Sequence, residues 1–210
     1  MMKKLLTLAC LVLPLFCSCA STKQASNSVI ELADVISMMD YCPRMPLETA
    51  ESDADLFMAN AVKMFVPKGF TQGLTGEGYG GPCVIIDGFY KGGYGDSEQY
   101  CFIPTDKAHA CVMEIASCND GDEGDYEVTV TVTLFAKKVV EQFMSQFGKL
   151  GFKLISQSDN GEARSYSNGH YVIDYNHFVI DYSQEVDNDN ECHFFMIQTT
   201  ERKASLSSEY

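Results

Sequence analysis

YEVTVTVTLFAKKVVEQFMSQFGKLGFKLIS, residues 126–156, changes its hydrophobic period twice, and the rest of the chain can be placed by reference to it. From Glu127 to Phe135, Val128, Val130, Val132 and Leu134 alternate with Thr129, Thr131, Thr133 and Phe135. Period two with β-branched residues is what a half-buried pleated strand requires. From Lys137 the spacing becomes three and four, so that Val139, Val140, Phe143, Phe147 and Leu150 fall on one face of a helix. Gly148 and Gly151 permit the left-handed backbone that ends helices, and Phe152 to Ile155 begins a second strand. A helix with one apolar stripe must bury it, and the face of the adjacent sheet is the available partner.

The same grammar occurs upstream. Ser52-Asp53-Ala54-Asp55 reads as a capping box with Asp in place of Glu; Leu56, Phe57, Ala61, Met64 and Phe65 form the stripe, and Pro67 stops the helix. Gly69-Phe70 follows this helix as Gly151-Phe152 follows the later one, 82 residues on. The expected fold is α+β, a predominantly antiparallel β-meander with two main helices. It is built either as one larger sheet or as two tandem helix-plus-meander units spanning residues 29–125 and 126–200. Two helix-plus-four-strand units in tandem resemble the architecture of secreted β-lactamase-inhibitor proteins, a likeness of element order that no motif carries.

Residues 1–18 read as a leader outside the fold. Lys3 and Lys4 form a basic start, and Leu5 to Phe16 is apolar but short of the roughly 18 residues that a spanning helix needs. Ser18-Cys19 closes the segment. This resembles a bacterial lipoprotein signal, in which a cysteine preceded by a small residue is acylated and becomes the mature N-terminus. Cys17 fits less well because Phe16 directly precedes it, and Cys10 leaves too short an apolar core; Phe16 itself departs from the family's usual leucine. The resemblance implies a diacylglycerol and an N-acyl chain on Cys19, and more than one acyl chain anchors a protein stably without spanning the bilayer. Ala20 follows the cysteine where the family's inner-membrane retention signal has aspartate, which favours the outer membrane of the cell envelope. Residues 19–28 are small and polar, a tether with a reach on the order of 15–18 Å. Residues 201–210 read as a disordered tail.

The chain has 210 residues and a formal net charge of −14. Without Lys3 and Lys4, 13 basic residues stand against 29 acidic ones, a net −16. Such a surface repels nucleic acid and anionic headgroups, so no nucleic-acid role is expected. Val29 to Met39 suits a short helix, and Tyr41 to Leu47, with Pro43 and Pro46, reads as a loop. Ten of the sixteen glycines fall between Gly69 and Gly95, where Gly76-Glu77-Gly78-Tyr79-Gly80-Gly81 matches G-x-G-x-x-G. That motif holds a dinucleotide only between a strand and a helix; here Pro82 and the strand Cys83 to Tyr90 follow, so the glycines read as loops. Tyr79, Tyr90 and Tyr94 among them are candidate contacts for a protein partner, since tyrosine offers large area with few rotors. Asn119 to Asp125, NDGDEGD, fails the EF-hand spacing and reads as an acidic hairpin turn.

Glu98 to Ile103 and His109 to Ala116 read as a hairpin, which would place Cys101 opposite Cys111. Asp159-Asn160-Gly161 and Asn168-Gly169 are hairpin turns. Tyr171 to Tyr175 and Phe178 to Tyr182 nearly repeat, and a hairpin at Asn176-His177 would bring their aromatics to one face; a bulge there is the alternative. Cys192 to Thr199 is the last strand. Besides Cys19, the exported part has six cysteines, of which Cys101 and Cys111 form the best candidate disulfide. No C-x-x-C occurs. A zinc site from His170, His177 and His193 with Asp174 or Asp181 is disfavoured, because the hairpin would put His177 at a turn tip and His170 at the opposite end. No nucleophile signature and no cofactor motif is present. The expected function is therefore a non-catalytic envelope lipoprotein that binds a protein partner; an exported hydrolase of envelope polymers, or a small-ligand or metal-binding lipoprotein, is the alternative.

Overall fold

The amphipathic helices form where their periodicity places them, and all bury their stripes on the same side of one antiparallel sheet. The computed structural model describes residues 28–73, 83–96, 101–119, 124–180 and 190–200; residues 1–27 with Cys19, Tyr79 with its glycine motif and residues 201–210 lie outside them. In chain order come α1 (Leu32–Tyr41), β1 (Arg44–Met45), α2 (Ala50–Phe65), β2 (Thr71–Gly73), β3 (Cys83–Lys91), β4 (Gly93–Asp96), β5 (Cys101–Pro104), β6 (Cys111–Cys118) and β7 (Tyr126–Leu134). Then follow α3 (Lys137–Met144), β8 (Lys153–Gln157), β9 (Ala163–Ser167), β10 (Tyr171–Ile180) and β11 (Asn190–Thr199). The fold is α+β with an antiparallel meander, in the strand order β2-β3-β6-β7-β11-β10-β9-β8; β1 pairs with the start of β7, and β4 with β5 forms a separate hairpin.

The order contains a repeat. The helix α2 precedes the meander β2-β3-β6-β7, α3 precedes β8-β9-β10-β11, and the two meanders join through their last strands, from Leu134 opposite His193 to Val130 opposite Ile197. Each helix ends in the same device, Phe-x-x-x-Gly-Phe. A short 3₁₀ turn leads to Gly69 at φ 85° and to Gly151 at φ 79°, and the next N–H bonds back to the carbonyl of Phe65 or Phe147 at 3.3 and 3.0 Å. The strand 126–134 pairs with β6 on one side and with β11 on the other. One core runs through both halves, from Phe57 and Phe65 through Val130 and Val132 to Phe195 and Ile197.

Several local expectations are corrected. Helix α2 begins a turn before the proposed capping box, at Thr49, whose hydroxyl donates to Asp53 at 2.6 Å. Its buried face is Ala50, Ala54, Phe57, Ala61 and Phe65, while Leu56 is exposed. Strand β5 pairs with β4 and not with β6, whose two neighbours are β3 and β7. Cys111 therefore lies opposite Lys91 and Leu134 and remains a free, buried thiol; the Cys101–Cys111 bridge is not made, and Cys83 and Cys118, opposite one another on β3 and β6, form a disulfide. Strand β10 runs unbroken from Tyr171 to Ile180 against β11, with no hairpin at Asn176-His177. The one-face argument failed because both faces of the sheet are apolar at this end. Ala110, Val112, Phe135 and Cys192 form a second cluster with Tyr90, Phe102 and Phe194, in which Phe102 of the β4–β5 hairpin covers the side away from the helices.

The hairpin depends on Gly92. Its φ is +72°, its carbonyl accepts from the N–H groups of Thr105 and Asp106 at 2.9 Å, and a Cβ there would lie 2.6 Å from the backbone of Ala110. Gly92→Ala should cost about 1–3 kcal/mol, read as a lower urea midpoint. Gly148→Ala, where a Cβ meets nothing within 4 Å, should leave the midpoint nearly unchanged.

Candidate functional site

Three side chains that carry ligand chemistry converge on the helix-covered side at one end of the sheet. Glu191 and His193 are two apart on β11 and so share a face, and His177 on β10 is the direct cross-strand partner of His193. The two imidazole rings stack with centroids 4.6 Å apart. One ligand atom from each of His177, Glu191 and His193 lies within 4.8 Å of the other two, with His193 Nε2 4.0 Å from a Glu191 carboxylate oxygen. Burial differs sharply among them: His193 is 6 % exposed, His177 is half-buried, and the Glu191 side chain is 55 % exposed.

The hydrogen bonding is incomplete in one direction only. His193 Nδ1 is 3.0 Å from the Tyr175 hydroxyl, two residues before His177 on the same face. The Nε2 atoms of both histidines are buried and have no hydrogen-bond partner among the described residues. Burial first, then the neighbouring His177, holds the His193 pKa below its ordinary value, with Glu191 opposing. The neutral ring is thereby favoured at pH 7. Beyond Tyr175 stand Phe195, 5.0 Å away between ring centroids, and the Arg164 guanidinium, 5.8 Å from the Tyr175 ring centroid.

The other candidates are placed as follows. Tyr90 is half-buried against Phe102, with ring centroids 5.8 Å apart, and supports the hairpin; Tyr94 on β4 is half exposed; Tyr79 lies outside the described residues. Burial pushes the Cys111 thiol up to about 12 and that of Cys192 up to about 11, which makes both poor nucleophiles. His170 sits at the far end of β10, about 23 Å along the strand from His177 at the usual rise, and cannot join it. It lines instead a cleft of about 640 Å³ with Ile36, Asp40, Arg44 and Tyr171, in which the Tyr171 hydroxyl donates to Asp40 at 2.6 Å.

A hairpin at Asn176-His177 would turn His177 away from β11, whereas the unbroken strand sets it opposite His193. The signal was present in the period-two spacing of Glu191 and His193, and in an antiparallel return of 190–199 along an unbroken 171–180. No helix among the described residues is long and apolar enough to cross a membrane. No family model, no curated protein and no solved structure matches this chain.

Proposed function

We propose that this chain is a lipid-anchored lipoprotein of the cell envelope, held by acylated Cys19, that acts by binding a protein on the uncovered side of its sheet. The observation that carries the reading is the chemistry of that side. Among the described residues the helices occupy the other face, and the β4–β5 hairpin covers one end only. Across the middle, Ala116 of β6, Thr129 and Thr131 of β7 and Met196 of β11 are neighbours, with Met196 43 % exposed. A chain with 21 % charged residues thus presents a flat centre of small or apolar side chains, flanked by Glu114 and Asp174. Depletion of charge at the centre with polar groups at the rim is the composition of protein interfaces, because the centre must be desolvated. With a net charge of −16 after the leader is removed, the fitting partner is a protein neutral at its contact centre and basic around it.

The test is a crosslinked pull-down from the native cells, with Cys19→Ala as the unanchored control and Thr131→Lys with Met196→Lys as the face variant. One near-stoichiometric envelope protein should be recovered by the parent chain. Recovery should fall at least about tenfold in the face variant, since buried interface lysines are strongly disfavoured. Equal recovery by the face variant, or none by the parent, would remove the proposal.

A further inference from the structure

We propose that His177, His193 and Glu191 bind one divalent transition-metal ion, with zinc the best match to the donor set. The proposal is independent of the partner-binding face, which lies on the opposite side of the sheet.

The first argument is the unfilled hydrogen-bonding capacity. A buried polar atom without a partner costs about 1–3 kcal/mol, and native proteins keep few of them. Among the described residues two such atoms, the Nε2 nitrogens of His177 and His193, stand on stacked rings, that of His193 4.0 Å from the Glu191 carboxylate. A single unsatisfied nitrogen is an accident of packing; a convergent pair next to an acid has the form of a ligand set.

The second is the way the backbone delivers the three groups. Two residues at i and i+2 on one strand and a third directly across from one of them share a face by the pleat alone. All three ligands therefore sit on the paired strands β10 and β11, and one of them, Glu191, has a half-exposed side chain that can rotate. Zinc bonds of about 2.0–2.2 Å in tetrahedral geometry hold ligand atoms roughly 3.3 Å apart, so the present spacing needs to close by about 1.5 Å at most. Glu191, the most exposed of the three, closes on His193 by a change of side-chain torsion, and a turn of the half-buried His177 ring out of its stack brings the second nitrogen to the same point.

The third is the outer hydrogen bond. A histidine that ligates through Nε2 carries its proton on Nδ1, and a partner for that N–H fixes the tautomer and the ring plane. The Tyr175 hydroxyl, 3.0 Å from His193 Nδ1, stands in this position. Two imidazoles and one carboxylate suit zinc and its neighbours in the first transition row, whereas calcium and magnesium take all-oxygen shells. Three protein ligands leave a fourth position for water or a ligand group from outside, the arrangement of a working site rather than a closed structural one.

The experiment uses the full chain purified in detergent, stripped with a chelator and dialysed, and titrated calorimetrically with zinc, calcium and magnesium in turn. Zinc should bind one per chain. His177→Ala and His193→Gln should weaken it by at least about 100-fold, and Tyr175→Phe by about 10-fold, as loss of an outer hydrogen bond does. Because His193 is buried, Glu191→Gln is the variant that separates binding from folding: the metal-free protein should melt at the parent temperature, and zinc should bind at least about 10-fold more weakly. Calcium and magnesium should neither bind one to one nor displace zinc. Failure of the parent chain to give a one-to-one zinc isotherm would overturn the proposal. So would an unchanged zinc affinity in His177→Ala or Glu191→Gln, which would put the ion on other acidic groups.

Discussion

Phe195→Ala should destabilise the protein by about 3–5 kcal/mol, the loss typical of a large ring removed from a close-packed core. Phe195 is fully buried on β11, in the middle of the sheet. Its ring centroid is 4.9 Å from that of Phe143 on α3, 6.0 Å from Phe147 just beyond that helix, and 5.0 Å from Tyr175 on β10. Truncation removes three aromatic pairs, each worth about 0.5–1.5 kcal/mol beyond simple burial, and leaves a cavity lined by rings that cannot collapse into it. Helix α3 spans only Lys137–Met144, and a helix of that length has little stability of its own in water, so it is held by this contact. Met196→Ala, at the next position on the exposed face, should change stability by about 0.5 kcal/mol or less. Urea unfolding of the two variants side by side decides the matter: midpoints that fall together would mean that Phe195 does not hold α3 to the sheet.

Reduction of Cys83–Cys118 should cost a similar amount by a different route. The bond closes a loop with a sequence separation of 35, for which the chain-entropy relation gives about 4 kcal/mol at 25 °C. That loop contains the β4–β5 hairpin, which covers the second apolar cluster. The two strands it joins are already paired along their length, so the native fold survives and the gain lies in restricting the unfolded chain. Cys83→Ser with Cys118→Ser should lower the urea midpoint and raise the denaturant slope, because the open chain exposes more surface. Reductant should do the same to the parent and nothing to the variant. A parent midpoint indifferent to reductant would show that the bridge contributes no stability.

Legibility in the sequence followed the number of apolar faces that a segment possesses. Strand β7 was readable because Val128, Val130, Val132 and Leu134 bury one face while Thr129 and Thr131 stay half-exposed, so its period is unambiguous. Helix α3 was readable for the same reason, with Val139, Val140 and Phe143 on its single buried stripe. Strand β10 was misread because Val172 is as buried as Ile173: apolar residues on both faces carry no period, and a turn was supplied to explain them. The disulfide depends on which strand lies beside β6, a matter of topology that spacing between cysteines does not encode. The histidine pair failed with β10, since its members meet only in the register of two strands separated by the 181–189 connection.

The junction of the two meanders has a consequence for the order in which the molecule can be completed. During synthesis from the N-terminus, β2, β3, β6 and β7 can pair as soon as they emerge, and β7 is then left as an outer strand. Its permanent neighbour, β11, comes last among the described strands. For the time taken to make residues 135–199, a long valine- and threonine-rich strand keeps a free row of amide and carbonyl groups, the condition under which strands of separate molecules pair with each other. The small β1, fastened to the first residues of β7, shields only one end of that row. A nascent chain of this design needs either rapid synthesis of the second half or a protective companion until β11 arrives.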